Sequence, residues 1–216
     1  MAEEKKNLQV ELEKYVERAK EIFVNEKSGH DFSHIQRVLN YCEQIQKTEG
    51  GDGFVVFVSA LFHDVHRVLQ SQLGRFISSD EAMPEVEKIL SEFDIPQEKL
   101  KQILFNIRHH DNKGLQNLSI ELQILQDADI LDALGEVGLK RTQAYCKKHN
   151  IPAVDKSLPL DCPEYIPDIF PISTTHYVFR TMIPNQKLLH TKAGRKIGEN
   201  QVQVLCDYVE KNWNEV

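Results

Sequence analysis

Histidine and aspartate side chains beside apolar runs are the residues of this chain best suited to chemistry. His63 and Asp64 follow the most hydrophobic segment, Phe54-Val-Val-Phe-Val. His34 precedes Val38 by four positions, so on a helix it lies on or beside the buried stripe. Burying a charge without a partner is costly. These side chains therefore either reach the surface or pair with another group.

Two further carboxylates, Asp127 and Asp129, lie in "LQILQDADILDALG", a stretch so apolar that a helix there would be mostly buried. Each shares a helical stripe with leucine or isoleucine, so periodicity does not choose between them. No Lys or Arg occurs between Gln116 and Leu139. A bound cation is the simplest partner, because imidazole with carboxylate is a fair ligand set for a divalent transition metal.

Less specific interpretations compete with a metal site. A lone histidine on an apolar face is usually a hydrogen-bonded core residue, and a lone buried aspartate is more often a cap or local hydrogen-bonder. The His-Asp dipeptide alone is a weak signal. The metal hypothesis rests on the ordered set: a histidine, a His-Asp pair after an apolar helix, then an aspartate in a second buried helix. Asp127 would then either orient a histidine or be a structural hydrogen-bonder.

A second pair of histidines occurs in "NIRHHDNKG". Ile103, Leu104 and Ile107 place His110 on the apolar stripe of a predicted helix, with His109 offset from it. Histidines at the end of a helix also interact favourably with its dipole, so this pair alone does not establish a site.

Length and composition predict one domain of ordinary globular type. The chain has 216 residues, of which 41% are apolar and 27% charged, and a net charge of -7. That charge argues against general nucleic-acid binding, which needs a basic surface. The charged start is unlike a secretion signal, and the longest apolar run, Phe54–Val58, is too short to cross a bilayer. Four well-separated cysteines fit reduced thiols. We expect a cytoplasmic protein without a membrane partner.

Helical periodicity runs through most of the chain and predicts an all-α fold, a single-domain bundle of roughly eight helices. The helices are expected at about residues 7–27, along Ile35–Ile45, at 54–68, 80–93, 96–110, 119–134 and 136–149, near 173–183 and near 190–214. Residues 54–68 would also suit a buried strand, but their helical neighbours favour a helix, which Asp52 is expected to cap. Residues 150–172 hold five prolines and are expected to be irregular.

The motifs "HDFSHIQRV", "ALFHDVHR" and "LQDADILDALG" resemble those of the HD-domain superfamily of metal-dependent phosphohydrolases, over about residues 28–140. The stretch "TTHYVF…LLHTKAGRKIGE" is similar to the ends of small bacterial HD proteins, including a nucleotide pyrophosphohydrolase subgroup. The resemblance implies one all-α HD-like domain over 1–216, in which 150–216 completes the pocket. It also implies metal ligands at His34, His63, Asp64 and Asp129, holding a divalent ion such as Mn, Fe, Co, Ni, Mg or Zn.

The family's chemistry would be hydrolysis of a phosphate ester by metal-activated water. Several hydrolytic relatives carry an acid three or four positions after the His-Asp pair. Here those positions are Arg67 and Val68, preceded by His66. We therefore predict His66, Arg67 and His110 as catalytic residues. Either His66 or another acid takes over the role of the missing acid, or the reaction differs, or the activity is weak. Arg67 would bind phosphate, or it would simply cover apolar surface.

The expected substrate is a small phosphorylated molecule, with a nucleotide favoured. Substrate contacts are predicted at His109, Lys140, Arg141 and Arg180, although each basic residue also fits a solvated surface charge. The stretch "LLHTKAGR" is expected to place His190 or Arg195 near the pocket. Two alternatives stay open: a di-iron oxygenase on the same scaffold and a non-catalytic nucleotide-sensing module. The oligomeric state is open as well.

Overall fold

The computed structural model describes residues 2–26, 29–162 and 172–214, with side chains described from residue 12 onward. Within those ranges the chain is helical and contains no strand, which confirms the predicted all-α class. The helices are α1 (Ala2–Phe23), α2 (Phe32–Glu49), α3 (Gly53–Phe62), α4 (Val65–Leu73), α5 (Met83–Leu90), α6 (Gln97–His109), α7 (Ile120–Ala133), α8 (Gly135–Lys148), α9 (Thr174–Tyr177) and α10 (Lys192–Asn214), with a π-helical turn at Val178–Met182 and a 3-10 helix at Ile183–Leu188. None of the described helices has the length and hydropathy that a membrane span requires.

Two compact units divide the chain, a first unit at Met1–Gln126 and a second unit at Asp127–Val216. The boundary falls inside α7. The single domain expected from the sequence therefore stays a prediction.

The core of the first unit forms around α3, the most apolar helix of the chain. This helix packs against α1, α2 and α6, and Val58 and Leu61 are fully buried. Tyr15 of α1 stacks on Phe93 with ring centroids 4.0 Å apart. A helix that is apolar on nearly all sides is stable only inside a core, and this burial fits the helical interpretation of the hydrophobic segment.

Aspartate caps fix where α2 and α3 begin. The Asp31 carboxylate accepts hydrogen bonds from the backbone amides of Ser33 and His34. Asp52 does the same for the first amides of α3 and also forms an ion pair with Lys99 at 2.7 Å. Such caps satisfy amide groups that have no partner within the helix. The predicted cap at Asp52 is confirmed.

The single helix predicted at 54–68 is wrong in its extent, because the structure has two helices there. α3 ends at Phe62 and α4 begins at Val65. Asp64 has φ -97° and ψ 16°, outside the usual helical values, so the chain turns at this residue. Hydrophobic periodicity does not report such a turn, since the residues on both sides of it are buried. The break places His63 and Asp64 between two helices.

The second unit forms around the contact between α8 and α10, with α9 also packed on α10. Gly135, the first residue of α8, has φ +65°, and a Cβ on it would overlap the side chain of Gln201. The residues described between 150 and 162 are irregular, as expected. Residues 163–171 of the proline-rich segment, which include three of its five prolines, lie outside the described residues.

Asp127 anchors the start of α10 within the second unit. Its carboxylate accepts hydrogen bonds from the backbone amide of His190 at 2.7 Å, the amide of Thr191 at 2.8 Å and the Thr191 hydroxyl at 2.7 Å. A Cβ on Gly194 would lie 2.3 Å from Asp127 Oδ2, so glycine is needed there. Burial raises the pKa of Asp127 despite these hydrogen bonds. Of the two roles considered for Asp127, the contacts favour the structural one.

Candidate metal centre

Four segments of the first unit bring five ionisable side chains together in its interior. α2 contributes one histidine from its first turn, the break between α3 and α4 contributes a His-Asp pair, α4 contributes its second residue, and the residue after α6 completes the set. Each is at most 3% exposed: His34, His63, Asp64, His66 and His110. His63, Asp64 and His110 flank helix ends as cap residues, and His66 lies in the first turn of α4.

One oxygen of the Asp64 carboxylate faces three imidazoles. Its Oδ2 lies 2.6 Å from His30 Nδ1, 3.2 Å from His34 Nε2 and 3.5 Å from His63 Nε2. The Nε2 atoms of His34 and His63 are themselves 3.3 Å apart. His30, His34 and Asp64 are close enough to share one metal ion.

The other oxygen of Asp64 faces a second pair of histidines. Its Oδ1 lies 3.8 Å from His66 Nδ1 and 3.7 Å from His110 Nε2. The rings of His66 and His110 are in contact, with centroids 5.4 Å apart. This trio is also compact enough to hold an ion. The single carboxylate therefore lies between two groups of nitrogen ligands.

Backbone carbonyls fix the proton positions on two of these rings. His63 Nδ1 donates to the Ala60 carbonyl at 2.8 Å, and His110 Nδ1 donates to the Ile107 carbonyl at 2.7 Å, since a carbonyl only accepts. In the neutral rings the Nε2 lone pairs are thus turned toward the Asp64 oxygens. Lone pairs that face each other repel unless a cation or a proton lies between them. The donor set therefore fits a divalent metal ion.

Charge and burial act in opposite directions on Asp64. Burial alone would raise its pKa. When the surrounding rings carry a second proton, however, the charge of His63 and the hydrogen bonds from His110, His30 and His34 hold the pKa of Asp64 well below its usual range. Burial is the main cause that lowers the pKa of His66 to about 4. Asp64 is then a carboxylate and His66 a neutral imidazole at neutral pH, which are the protonation states that metal ligands require.

His30 is a functional candidate to which the sequence analysis assigned no role. It precedes α2, so helical periodicity does not apply to it. Its spacing of four residues from His34 is the signal that could have identified it. Its backbone amide donates to the Glu26 carboxylate at 2.9 Å, and its half-buried ring reaches Asp64.

Asp129, the predicted fourth ligand, lies in α7 in the part of that helix that belongs to the second unit. It is half-buried. Its role as a ligand stays a prediction based on the "AD" motif.

The predicted substrate contacts lie in varied surroundings. The ring of His109 packs on Phe105 with centroids 4.5 Å apart. Lys140 is exposed and pairs with Glu136 at 2.6 Å. Arg141 and Arg180 are both half-buried, the first in α8 and the second in the π-helical turn.

Arg141 has a buried partner, because its guanidinium pairs with Asp132 at 2.9 Å. Arg195 donates to the carbonyls of Leu189 and His190, so it braces the turn before α10. The contacts of these basic residues with a substrate stay predictions.

Comparison with known proteins supports this interpretation of the cluster. The pattern of the HD domain family matches residues 31–134. The Bacillus subtilis protein YpgQ is 25% identical over 197 residues, covering 88% of this chain and 86% of YpgQ. An HD-superfamily hydrolase from Bacillus thuringiensis has a similar structure, with a TM-score of 0.74 and 28% identity, covering 96% of this chain and 99% of that one.

Two further solved structures have the same fold. The Lin1889 protein from Listeria innocua gives a TM-score of 0.71 at 27% identity, covering 94% of this chain and 96% of that one. YpgQ in complex with ADP gives a TM-score of 0.69 at 20% identity and covers 96% of both chains. The structural match extends over nearly the whole length of each protein, beyond the region of the HD motifs. Residues 31–134 of this chain therefore match the HD domain family, within a fold that the chain shares with the HD-superfamily hydrolase from Bacillus thuringiensis.

Proposed function

We propose that this protein is a divalent-metal-dependent phosphohydrolase that acts on a nucleotide or another small phosphate ester. The observation that carries the proposal is the Asp64 carboxylate, which is buried and faces five histidine rings within 3.8 Å. A purely structural core has no need for so many nitrogen atoms around one carboxylate, because one or two hydrogen bonds would satisfy it.

The ligands of the ion would be His34, His63 and Asp64, with Asp129 as the fourth. Asp129 follows Gln126 by one helical turn in α7, and the Gln126 side chain donates to the His109 carbonyl at 2.9 Å. When bound, the ion would lower the pKa of a water ligand and polarise a phosphoryl oxygen.

The protein's own groups would supply the rest of the chemistry. His66, neutral at physiological pH, replaces the acid that relatives carry after the His-Asp pair and accepts a proton from the attacking water. His110, whose Nδ1 is held by the Ile107 carbonyl, would present Nε2 to the leaving group or to the phosphate. Arg67 would stabilise charge that gathers on the phosphate, since a guanidinium matches phosphate geometry.

Two points support a nucleotide as the substrate. The B. subtilis relative has been crystallised in complex with ADP. Basic side chains at His109, Lys140, Arg141 and Arg180 offer further contacts for a charged ligand, although Arg141 would have to share its guanidinium with Asp132.

The proposal is tested by a hydrolysis screen of the purified protein. The protein is stripped of metal, reloaded with Mn, Fe, Co, Ni, Mg or Zn, and assayed against nucleoside mono-, di- and triphosphates for released phosphate and pyrophosphate. Replacing both His63 and Asp64 by alanine should lower turnover by more than about 100-fold, because it removes two ligands of the ion. His149→Ala, which removes an exposed histidine, is the matched control and should leave turnover unchanged.

Turnover that survives in the double variant would contradict the proposal. Metal-dependent binding of ADP without turnover of any phosphate ester would favour the nucleotide-sensing module.

A second candidate function, a di-iron oxygenase, is favoured by the two-sided geometry of Asp64. One oxygen faces the group of His34 and His63, and the other faces His66 and His110 at 3.8 and 3.7 Å. This candidate predicts two iron ions per chain and consumption of oxygen. Metal analysis that finds one ion or none would rule it out.

A further inference from the structure

Helix α4 has two distinct faces, and one of them carries polar residues next to the metal centre. Val65, Val68 and Leu69 line a cavity of about 280 Å³ on the side of α4 that packs against α1. Gln70 follows His66 by four residues and Arg67 by three. Residues at these spacings are neighbours on a helix surface, with Cβ atoms about 5–6 Å apart. His66, Arg67 and Gln70 therefore share the opposite face.

Two polar atoms on this face are buried without a partner. Arg67 Nε and Gln70 Oε1 have no hydrogen-bond partner among the described residues. Most buried polar atoms in proteins are hydrogen-bonded, because leaving one unpaired costs stability. A donor and an acceptor left open about one helical turn apart on the same helix face are both available to a ligand.

This face lies beside the buried histidine cluster. Asp64 immediately precedes α4, and the ring of His66 contacts the ring of His110 on the Oδ1 side of Asp64. Gln70 is one helical turn further from Asp64 than His66 is. A phosphate held next to Asp64 would thus have the rest of the substrate extending along α4.

We propose that Arg67 and Gln70 recognise the substrate as a pair. The Arg67 guanidinium binds a phosphate oxygen, and the Gln70 carbonyl oxygen accepts a hydrogen bond from a hydroxyl or amino group one helical turn away. The pair selects phosphate esters with a donor close to the phosphate, such as the sugar hydroxyls of a nucleotide. This inference rests on the proposed function, which places a phosphate at Asp64.

The test separates the two contacts by using two ligands that resist hydrolysis. α,β-Methylene-ADP carries both phosphates and sugar hydroxyls, whereas phenylphosphonate, as the dianion at alkaline pH, has neither hydroxyl nor amino groups. Binding to the metal-loaded protein is measured by calorimetry for Arg67→Met, Arg67→Lys and Gln70→Met. Methionine keeps an unbranched apolar stem and thus preserves packing.

Arg67→Met is expected to weaken the binding of both ligands by about 10- to 100-fold, because a charged hydrogen bond is lost. Arg67→Lys should restore part of the affinity, since it keeps the charge. Gln70→Met should weaken the methylene-ADP complex by about 3- to 10-fold and leave phenylphosphonate unchanged. Gln72→Met, on the exposed opposite side of α4, and Arg75→Met, paired with Glu81, are matched controls that should bind like wild type. Metal content and melting temperature are recorded for every variant.

Unchanged affinity for both ligands in Arg67→Met and Gln70→Met would overturn the inference, and so would wild-type protein that binds neither ligand. Equal weakening of the two ligands by Gln70→Met would overturn the role of Gln70. The proposed function is tested separately, by the hydrolysis screen. If the variants change binding as expected but the protein hydrolyses no phosphate ester, the roles of Arg67 and Gln70 would be supported and the proposed hydrolase function would be contradicted.

Discussion

At the scale of single residues, the centre depends on which nitrogen of each ring is free. Backbone carbonyls hold Nδ1 of His63 and His110, so Nε2 is the atom presented to Asp64. The sequence motif identified His34, His63 and Asp64 as ligand candidates, but it gave no information on tautomers. It also missed His30, because residues ahead of a helix have no periodicity from which their direction could be predicted.

The contact of His30 with Asp64 leads to a prediction about metal affinity. His30→Ala should weaken metal binding by about 10- to 100-fold without abolishing it, because the carboxylate loses a hydrogen bond that orients it. Titration of the metal-free protein with Mn or Zn measures the effect, and His149→Ala is the control. Equal affinity in His30→Ala and wild type would show that the contact has no part in holding the ion.

At the scale of secondary structure, caps and breaks decide where the functional side chains point. Helical periodicity predicted the buried helix before His63, and its Asp52 cap could be read from the sequence. The break at Asp64 could not, since the residues on both sides of it are buried and continue the apolar pattern. Likewise, Asp127 and Asp129 differ by two positions in one apolar run, and only contacts show that Asp127 anchors α10.

The cap of α3 yields a prediction with a defined pH dependence. Asp52→Ala should lower the free energy of unfolding by about 1–2 kcal/mol at neutral pH, because two amides lose their acceptor. Although burial raises the pKa of Asp52, the hydrogen bond from Lys99 and those from the backbone amides keep it lowered overall.

The stabilisation is therefore complete above the ordinary aspartate pKa of about 3.9 and is lost as the pH falls through the lower folded-state value. Urea unfolding over a pH series should show that the difference in the free energy of unfolding between wild type and variant becomes smaller only in that acidic range. A difference in the free energy of unfolding that becomes smaller from pH 5 to higher pH would contradict the prediction.

The anchor of α10 gives a second prediction at this scale. Asp127→Ala should lower the free energy of unfolding by about 3 kcal/mol, because three donors, two of them buried, lose their acceptor. Asp207→Ala, which removes an exposed aspartate of the same unit, should change it by less than about 0.5 kcal/mol. Thermal or denaturant unfolding measures both variants, and similar values for the two would show that Asp127 is not an anchor.

At the scale of the whole molecule, the described residues form an all-α fold, as helical periodicity predicted, and residues 31–134 match the HD domain family. The four predicted ligands are spread over nearly a hundred residues, and periodicity cannot show that they meet, because it describes one helix at a time. Their grouping came from the resemblance of three motifs. The structure brings His34, His63 and Asp64 together, with three further histidines, in one unit.

The most direct test of the account is the number of metal ions bound per chain. After reloading and removal of free metal, elemental analysis should find at least one transition-metal ion in wild type and a loss of that ion in Asp64→Ala. Asp207→Ala should retain the wild-type content. Wild-type protein that binds no ion, or an Asp64→Ala variant that retains the full content, would contradict the claim that this carboxylate and its histidines are a metal centre.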